Sequence, residues 1–419
     1  MYEVGNLGLS FGTALTRSGI FRVTESFVME VLARPNVNAR FVATDSYVSE
    51  VQLARYDRSV NGRLGGRRVT AWDSDSSSLE ESVSLMDRLV AADAPDSATA
   101  RLRAELALLN RMARPRSIAG PVDIYHSIRQ PLAGRDRVRA RVRLATIHDM
   151  VPSLYPDVTE ERFVAFHHAV LRSIDIERDW VMCISECTKH DVARLTGIPG
   201  DRIVVVPLAA SSEIFRPEED EPRLASVLAR YGVRDGRYVL SLCTLEPRKN
   251  LPRLVTAFSR LAENAVLDDV RLVLVGALGW KSEALQETIR RVGLPTERLK
   301  VLGHVPDEDL GALLTGASVF AYPSLYEGFG LPVLEAMQCG APVVTSNTSS
   351  LPEVVGDAAI CVAPTDEAAL AQAMTDVLLN ADLAKELRHR GLERAKAFTW
   401  RRTVDEAVAA YEAMLASAE

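Results

Sequence analysis

The sequence predicts an α/β protein built on parallel sheets. Three observations carry that expectation. From Tyr238 onward, short apolar runs alternate with helix-spaced segments across short loops, the pattern of a parallel sheet covered by helices on both faces. In the first half, residues 122–127 and 143–149 each read as a short buried strand ending in a histidine-bearing turn. The length, 419 residues, is enough for two ordinary domains.

Composition narrows the function classes. Apolar content of 47% and charged content of 25% are those of a globular chain, and a net charge of −7 gives no general reason to expect nucleic acid as a partner. No apolar run reaches the ~20 residues of a membrane span. The N-terminal Met1-Tyr-Glu-Val-Gly-Asn6 has no basic segment and no apolar core of a signal peptide. Cys183, Cys187, Cys243, Cys339 and Cys361 are odd in number and scattered. They read as reduced core residues of a cytoplasmic protein rather than as disulfides or a zinc site. The only low-complexity tract is Asp73-Ser-Asp-Ser-Ser-Ser78.

In chain order, Thr16-Arg-Ser-Gly-Ile-Phe-Arg22 is a polar turn, with Ser18 a candidate cap, leading into a helix over 23–32 with Val23, Phe27, Val28, Val31 and Leu32 on one face. A glycine turn at a helix start, here Gly19, suits a phosphate. Residues 39–45 read as a strand, and 60–100 as a surface loop with an insertion helix. Between 101 and 143 eleven arginines face only Glu105, Asp123 and Asp136. That local excess fits an anionic acceptor or membrane surface, or equally a solvated arginine face. Arg137, Arg139, Arg141 and Arg143 alternate with apolar residues, as in an extended edge segment or a binding patch. His126 and His148, at carboxyl ends of their strands, are expected to face one cleft. Residues 179–185 form another buried strand, Ser185 caps the helix that follows, and 201–207 form the last strand of this half.

The second half has strands at 238–244, 270–275, 299–303, 319–322, 342–346 and 359–363. Its organising stretch is Ser324-Leu-Tyr-Glu-Gly-Phe-Gly-Leu-Pro-Val-Leu-Glu335. Gly328 and Gly330 allow close backbone approach. Pro332 suits a first helical residue, which would put Glu335 in the first helical turn. Two carboxylates, Glu327 and Glu335, then flank a ligand-sized loop at the carboxyl end of a strand. Leu245-Glu-Pro-Arg-Lys-Asn250 places adjacent cations, Arg248 and Lys249, at a strand-to-helix turn, where a diphosphate is favoured. Helices over 366–380, 382–397 and 401–417 close the chain, the last with Val404, Ala407, Val408, Tyr411, Met414 and Leu415 on one face.

These motifs carry a resemblance. Glu327 through Glu335 is similar to the signature of family GT4 retaining glycosyltransferases, which have the GT-B fold: two Rossmann-like domains facing a cleft. The resemblance implies an acceptor-side domain over 1–209, a nucleotide-sugar domain over 210–400, and a helix over 401–419 returning to the first domain. It implies that Glu335 holds the ribose, and that Glu327 with the Gly328, Phe329, Gly330 and Leu331 segment holds the sugar. Glu246-Pro-Arg-Lys-Asn250 is similar to the family's diphosphate turn, implying Lys249 on the leaving group. Cys243 stands where other members carry an arginine, which leaves Arg248 as the second cation. Gly276 is the nucleotide contact and the Gly303-His-Val305 segment the base contact, with Val305 at the base edge. Residues 16–22 resemble a loop usually written Gly-Ile-Gly-Arg, implying Gly19 on the phosphate, but Phe21 replaces the second glycine. Ser185 to Asp191 is also similar to a family segment, whereas the Asn-Gly usual after Pro207 is missing.

Thr146-Ile-His-Asp-Met-Val-Pro-Ser-Leu-Tyr-Pro156 resembles a subgroup that includes mannosyltransferases of bacterial surface-polysaccharide synthesis. It implies His148 against the transferring sugar, Asp149 orienting it or binding acceptor, and GDP-mannose as the leading donor. No Asp-x-Asp metal motif occurs in the donor region, so no metal and no cofactor is expected, and protein cations take the diphosphate's charge. The implied reaction is hexosyl transfer to a glycan or glycolipid hydroxyl with retention, by front-face attack with the donor phosphate accepting the proton. An epimerase or sugar-phosphate synthase, and a non-catalytic nucleotide-sugar-binding subunit, are the alternatives. The implied setting is cytoplasmic, free or against the inner face of a membrane.

Overall fold

The computed structural model describes residues 1–7, 19–73, 76–91, 97–118 and 120–418, with side chains at 76–77, 91, 97–103 and 106 left aside. Residues 16–18, including the candidate cap Ser18, lie outside the described residues. Two six-stranded sheets organise the chain. The first contains β1 (Tyr2–Glu3), β2 (Phe41–Val42), β3 (Val122–Ser127), β4 (Ala140–Ile147), β5 (Trp180–Cys183) and β6 (Ile203–Val205), in the order β2-β1-β3-β4-β5-β6. The second contains β7 (Tyr238–Leu242), β8 (Arg271–Val275), β9 (Leu299–Gly303), β10 (Val319–Tyr322), β11 (Val343–Ser346) and β12 (Ala359–Val362), in the order β12-β11-β10-β7-β8-β9. Every pairing is parallel.

Parallel strands covered on both faces must be apolar on both, which is why β8 and β10 read as unbroken apolar runs and are buried throughout their centres. The helix Leu251–Leu261 closes one face of the second sheet with Leu251, Leu254, Val255, Phe258 and Leu261, one stripe at helical spacing. The final helix, Trp400–Ser417, leaves the second lobe and packs Val404, Ala407, Tyr411 and Met414 into the core of the first.

Three elements differ from expectation. β1 is two residues long, too short to give a periodic signal. The helix Tyr47–Ser59 buries Ser49, Glu50 and Gln52 along with its apolar residues, so its inner face is not marked by hydrophobicity. Residues 76–91 and 97–112 form two helices rather than one insertion helix.

The arginine run is also largely absorbed by the fold. β4 lies between β3 and β5, so its alternation marks an interior strand, not an edge. Arg143 is buried, donates to the Ala133 carbonyl at 2.7 Å and lies 3.4 Å from buried Asp179, which Arg135 also reaches at 2.6 Å. Arg137 donates to the Thr44 carbonyl at 2.8 Å and stacks over Trp72.

His126 does not face the cleft. Its Nδ1 is 2.7 Å from the Tyr411 hydroxyl and its Nε2 is 2.7 Å from Thr146 Oγ1, one layer beneath the cleft wall. The reason is the returning C-terminal helix, which brings Tyr411 onto β3 and encloses the ring. Burial pushes the pKa of His126 from 6.5 down to about 3. The unfolded chain therefore takes up a proton near pH 6.5 that the folded chain refuses, and stability falls as pH drops from 6.5 toward 3. His126→Gln should give a shallower decline of the urea midpoint between pH 7 and 4. An unchanged slope would place that acid sensitivity in another group.

Candidate active site

Two turns of the second lobe clasp each other at the carboxyl ends of β7 and β10. After β7, residues 243–250 turn into the helix Leu251–Leu261, with Asn250 at φ 58°. Its Nδ2 donates to the carbonyls of Pro323 (3.0 Å) and Pro364 (2.7 Å), which holds this left-handed residue in place. After β10, residues 323–330 lead to the helix Leu331–Gln338. Gly330 has φ 111°, a conformation that suits glycine. Leu331 begins the helix, so Pro332 is its second residue, and Glu335 lies one residue further in than expected.

A buried charge cluster joins the turns. Glu327 Oε1 accepts from Lys249 Nζ (2.7 Å), the Tyr322 hydroxyl (2.9 Å) and Ser324 Oγ (2.6 Å). Its Oε2 is 2.7 Å from Arg248 Nη1, while Arg248 Nη2 reaches Glu246 Oε1 at 2.6 Å. Burial alone would raise the Glu327 pKa; the charges of Arg248 and Lys249 outweigh it and hold the carboxyl at about 2. Burial likewise opposes the Arg248 charge, but Glu327 and Glu246 keep its pKa above the ordinary guanidinium value. Cys243 is buried beside this cluster, and burial pushes its thiol up to about 12.

The clasp opens onto a cavity of about 1050 Å³ between the lobes. Arg248, Lys249, Gly276, Val305, the segment 327–331 and Glu335 line it from the second lobe, and Gly19, His148 and Asp149 from the first. Of the residues expected at the site, His126 alone is elsewhere. A Cβ at Gly276 would be driven into the Cys243 carbonyl, so glycine is required where β8 ends against the turn after β7. Val305 is buried at the end of the turn after β9. His148 Nε2 lies 2.8 Å from the Ile128 carbonyl. A carbonyl only accepts, so Nε2 carries the hydrogen and Nδ1 is the acceptor. Burial lowers the His148 pKa and keeps the ring neutral. Asp149 Oδ1 accepts from the Val151 amide at 2.9 Å, starting a short helix, and the carboxylate's charge acts on the adjacent His148, whose ring is held by the Ile128 carbonyl.

Arg22 is among the cleft residues that sequence reasoning missed. Arg22, from the helix Gly19–Leu32, lies 3.6 Å from Glu335 Oε1 and 3.5 Å from Asp307 Oδ1, across the cleft. Burial raises the Glu335 pKa, Arg22 opposes that rise, and Asp307 adds to it. The signal was present, since Arg22 ends the Gly19-Ile-Phe-Arg22 motif. Phe21, the departure from that motif, turns away from the cleft into the first lobe's core.

Loop contacts hold the lobes together. Ser185 caps its helix through Thr188 and also donates to the Gly328 carbonyl at 2.7 Å. The Tyr326 hydroxyl donates to Asp191 at 2.5 Å, and the two oxygens of Glu353 accept the Glu186 and Cys187 amides at 2.8 and 2.7 Å.

Two parallel α/β lobes with a charged cleft at their strand ends define the GT-B class of glycosyltransferases. A solved glycosyltransferase from Rickettsia africae shares this fold with a TM-score of 0.64 at 18% identity, covering 96% of this chain and 97% of that one. The family model "Glycosyl transferases group 1" matches residues 231–396. O-antigen chain mannosyltransferase B of Escherichia coli is 36% identical over 271 residues, which is 64% of this chain and 70% of that protein. The serotype-specific mannosyltransferase WbdA of Escherichia coli is 31% identical over 277 residues, 65% of this chain but only 33% of that longer protein. The chain belongs to the group 1 glycosyl transferases.

Gly328 is one of the points where the lobes touch. A Cβ there would be driven into the His148 carbonyl and against Asp149 Cβ. Gly328→Ala should therefore separate the lobes at the reaction centre and lower sugar transfer ~100-fold, the scale of a misplacement of ~1 Å. Initial rates beside a thermal melt check this, with the melting temperature staying near that of the parent.

Proposed function

We propose that the cleft moves a mannosyl unit from GDP-mannose to a hydroxyl of a glycan or glycolipid, with retention at the anomeric carbon. One observation carries this reading. Lys249, Arg248, Glu327 and Glu335 share one interlobe cavity, with two cations beside one carboxylate and the second carboxylate a helical turn further on. Lys249 and Arg248 suit the diphosphate, and the start of the helix Leu251–Leu261 adds the positive end of its dipole. Glu335 suits the ribose hydroxyls, which donate to a carboxylate. Val305 and Gly276 suit the base and ribose side of the nucleotide.

In this reading charge accumulates on the diphosphate as the glycosidic bond breaks, and the preorganised cations lower that barrier. The departing phosphate oxygen takes the proton of the attacking hydroxyl, so no protein base is required on that face. His148, neutral and with Nδ1 as its acceptor, suits a hydroxyl of the transferring sugar. Both Escherichia coli relatives are mannosyltransferases, which supports mannose as the sugar. The working place we favour is the cytoplasmic side, at or near a membrane that presents a lipid-linked acceptor. Among the described residues no helix is long and apolar enough to cross a membrane. Exposed Arg111, Arg114 and Arg139 are among the arginines of the basic run open to an anionic surface.

Lys249→Ala and Glu327→Ala should each lower transfer ~10²–10³-fold, the scale of one preorganised charge-stabilising group, with far-UV circular dichroism unchanged. Near-parental turnover in the Lys249 variant would remove the diphosphate assignment. For the donor, GDP should raise the melting temperature more than UDP or dTDP; a ligand at 100 times its dissociation constant stabilises by ~2.7 kcal/mol. A larger shift with UDP would overturn the choice of GDP.

A further inference from the structure

The cleft has two chemically different ends. The charged end is the one described above. The other is aromatic, built from the helix Glu161–Arg172 of the first lobe and the loop after β8 of the second. Phe163, Phe166 and Trp280 line it, each half-buried. The Trp280 indole N–H donates to the Val158 carbonyl at 2.6 Å, which fixes the ring across the cleft, and the Phe163 ring lies 6.0 Å away. Lys281, next in the chain, has φ 52° and its ammonium bonds the Asp157 carbonyl. A lysine in the left-handed region is strained and persists only where neighbours impose it, so this turn is held in the conformation that presents Trp280.

Arg129 supplies the polar feature. Its guanidinium lies 5.2 Å over the Phe166 ring and lines the same cavity. It makes no hydrogen bond or ion pair with any described residue, although burial works against its charge. His167, also in the lining, is 3.0 Å from Ser153 Oγ through Nε2.

We propose that this aromatic end is the subsite for the terminal sugar ring of a saccharide acceptor. A sugar ring has an apolar C–H face and a rim of hydroxyls. Trp280 and Phe163 match the face, as aromatic side chains line small-molecule sites, and the guanidinium of Arg129 matches the hydroxyl oxygens. A bare lipid chain would leave that guanidinium buried with no partner, which is unfavourable. The subsite opens into the same cavity as Lys249, and an attacking hydroxyl must come within ~3–3.5 Å of the anomeric carbon. Because Trp280 belongs to one lobe and Phe163 to the other, the subsite is complete only when the lobes are together.

This inference rests on the transferase reading, and its test separates the two. Binding of an α-linked mannotriose is titrated by calorimetry in the presence of GDP, and steady-state constants for donor and acceptor are measured for the parent, Arg129→Met, Phe163→Ala and Phe163→Tyr. Arg129→Met and Phe163→Ala should weaken mannotriose binding and raise its KM by ~10-fold or more, the scale of one hydrogen bond to a charged group. The donor KM should stay within about twofold, and Phe163→Tyr, which keeps a ring, should restore most of the acceptor affinity. Mannotriose that fails to bind the parent, an acceptor KM unmoved in both variants, or donor and acceptor KM rising together would each overturn the subsite. Use of a polyprenyl phosphate lacking any sugar as acceptor, with the same sensitivity to Phe163, would assign the aromatic end to lipid and overturn it too. A parent that neither binds a nucleotide nor hydrolyses a nucleotide-sugar would instead sink the transferase proposal, an outcome the acceptor variants do not produce.

Discussion

The carboxylate of Glu327 is the point on which the second lobe's site turns. Four donors converge on it, two of them cationic, and it has almost no contact with solvent. Such a cluster is weak evidence of net stability, because desolvating the charges opposes their attraction. It is strong evidence of geometry. Removing one partner of a buried pair strands the other and costs about 3–5 kcal/mol, so the turn at 246–250 and the loop at 324–328 hold one mutual position. Backbone contacts reinforce it: the Leu325 amide donates to the Arg248 carbonyl at 2.9 Å, and Arg248 Nη1 donates to the Tyr326 carbonyl at 2.7 Å. The chain thereby fixes two cations before any substrate arrives, the condition under which electrostatic stabilisation needs little reorganisation.

The same cluster sets the charge of the site. Glu327 and Glu246 balance Arg248 and Lys249, so the clasp is close to neutral as a unit. A diphosphate would add negative charge beside cations already shared with carboxylates, and Glu327 would compete with it for Lys249. With its pKa near 2, Glu327 stays ionised across the whole range in which such a protein works.

How much of this could be read from the sequence depends on the distance of the partners that decide each residue's role. The second sheet and its two turns were legible because their determinants are local. Apolar runs such as Leu272-Val-Leu-Val275 can only be covered strands, and glycines and prolines punctuate the loops between them. The pairing of Lys249 with Glu327 was not legible, since it joins residues on different turns, yet both had been placed at one site. His126 was misread because Tyr411, which encloses it, is brought there by the final helix. The edge reading of Arg143 failed because Asp179, with which it pairs, stands just before the next strand. The helix Tyr47–Ser59 was overlooked because polar residues occupy its buried face. In each case a local pattern was real, and a distant partner decided what it meant.

Closure explains several residues that would otherwise look unrelated. Gly328 has no room for a side chain because the carbonyl of His148 lies against it, so the sugar-side loop of one lobe and the histidine loop of the other meet without a spacer. Ser185 and Thr188 both reach the Gly328 carbonyl, the latter at 3.3 Å, so a helix start in the first lobe reads the backbone of the second. Glu353 occupies the N-terminus of that same helix, where a carboxylate is favoured by free amides and by the helix dipole. Arg22 completes the set from the opposite side of the cleft by facing Glu335. A ribose held by Glu335 would meet this guanidinium as it binds, so occupation of the nucleotide end and the approach of the two lobes are parts of one event. A donor seated as proposed would thus lie within reach of the contacts that join the lobes, and closure around it would keep water from the glycosidic bond.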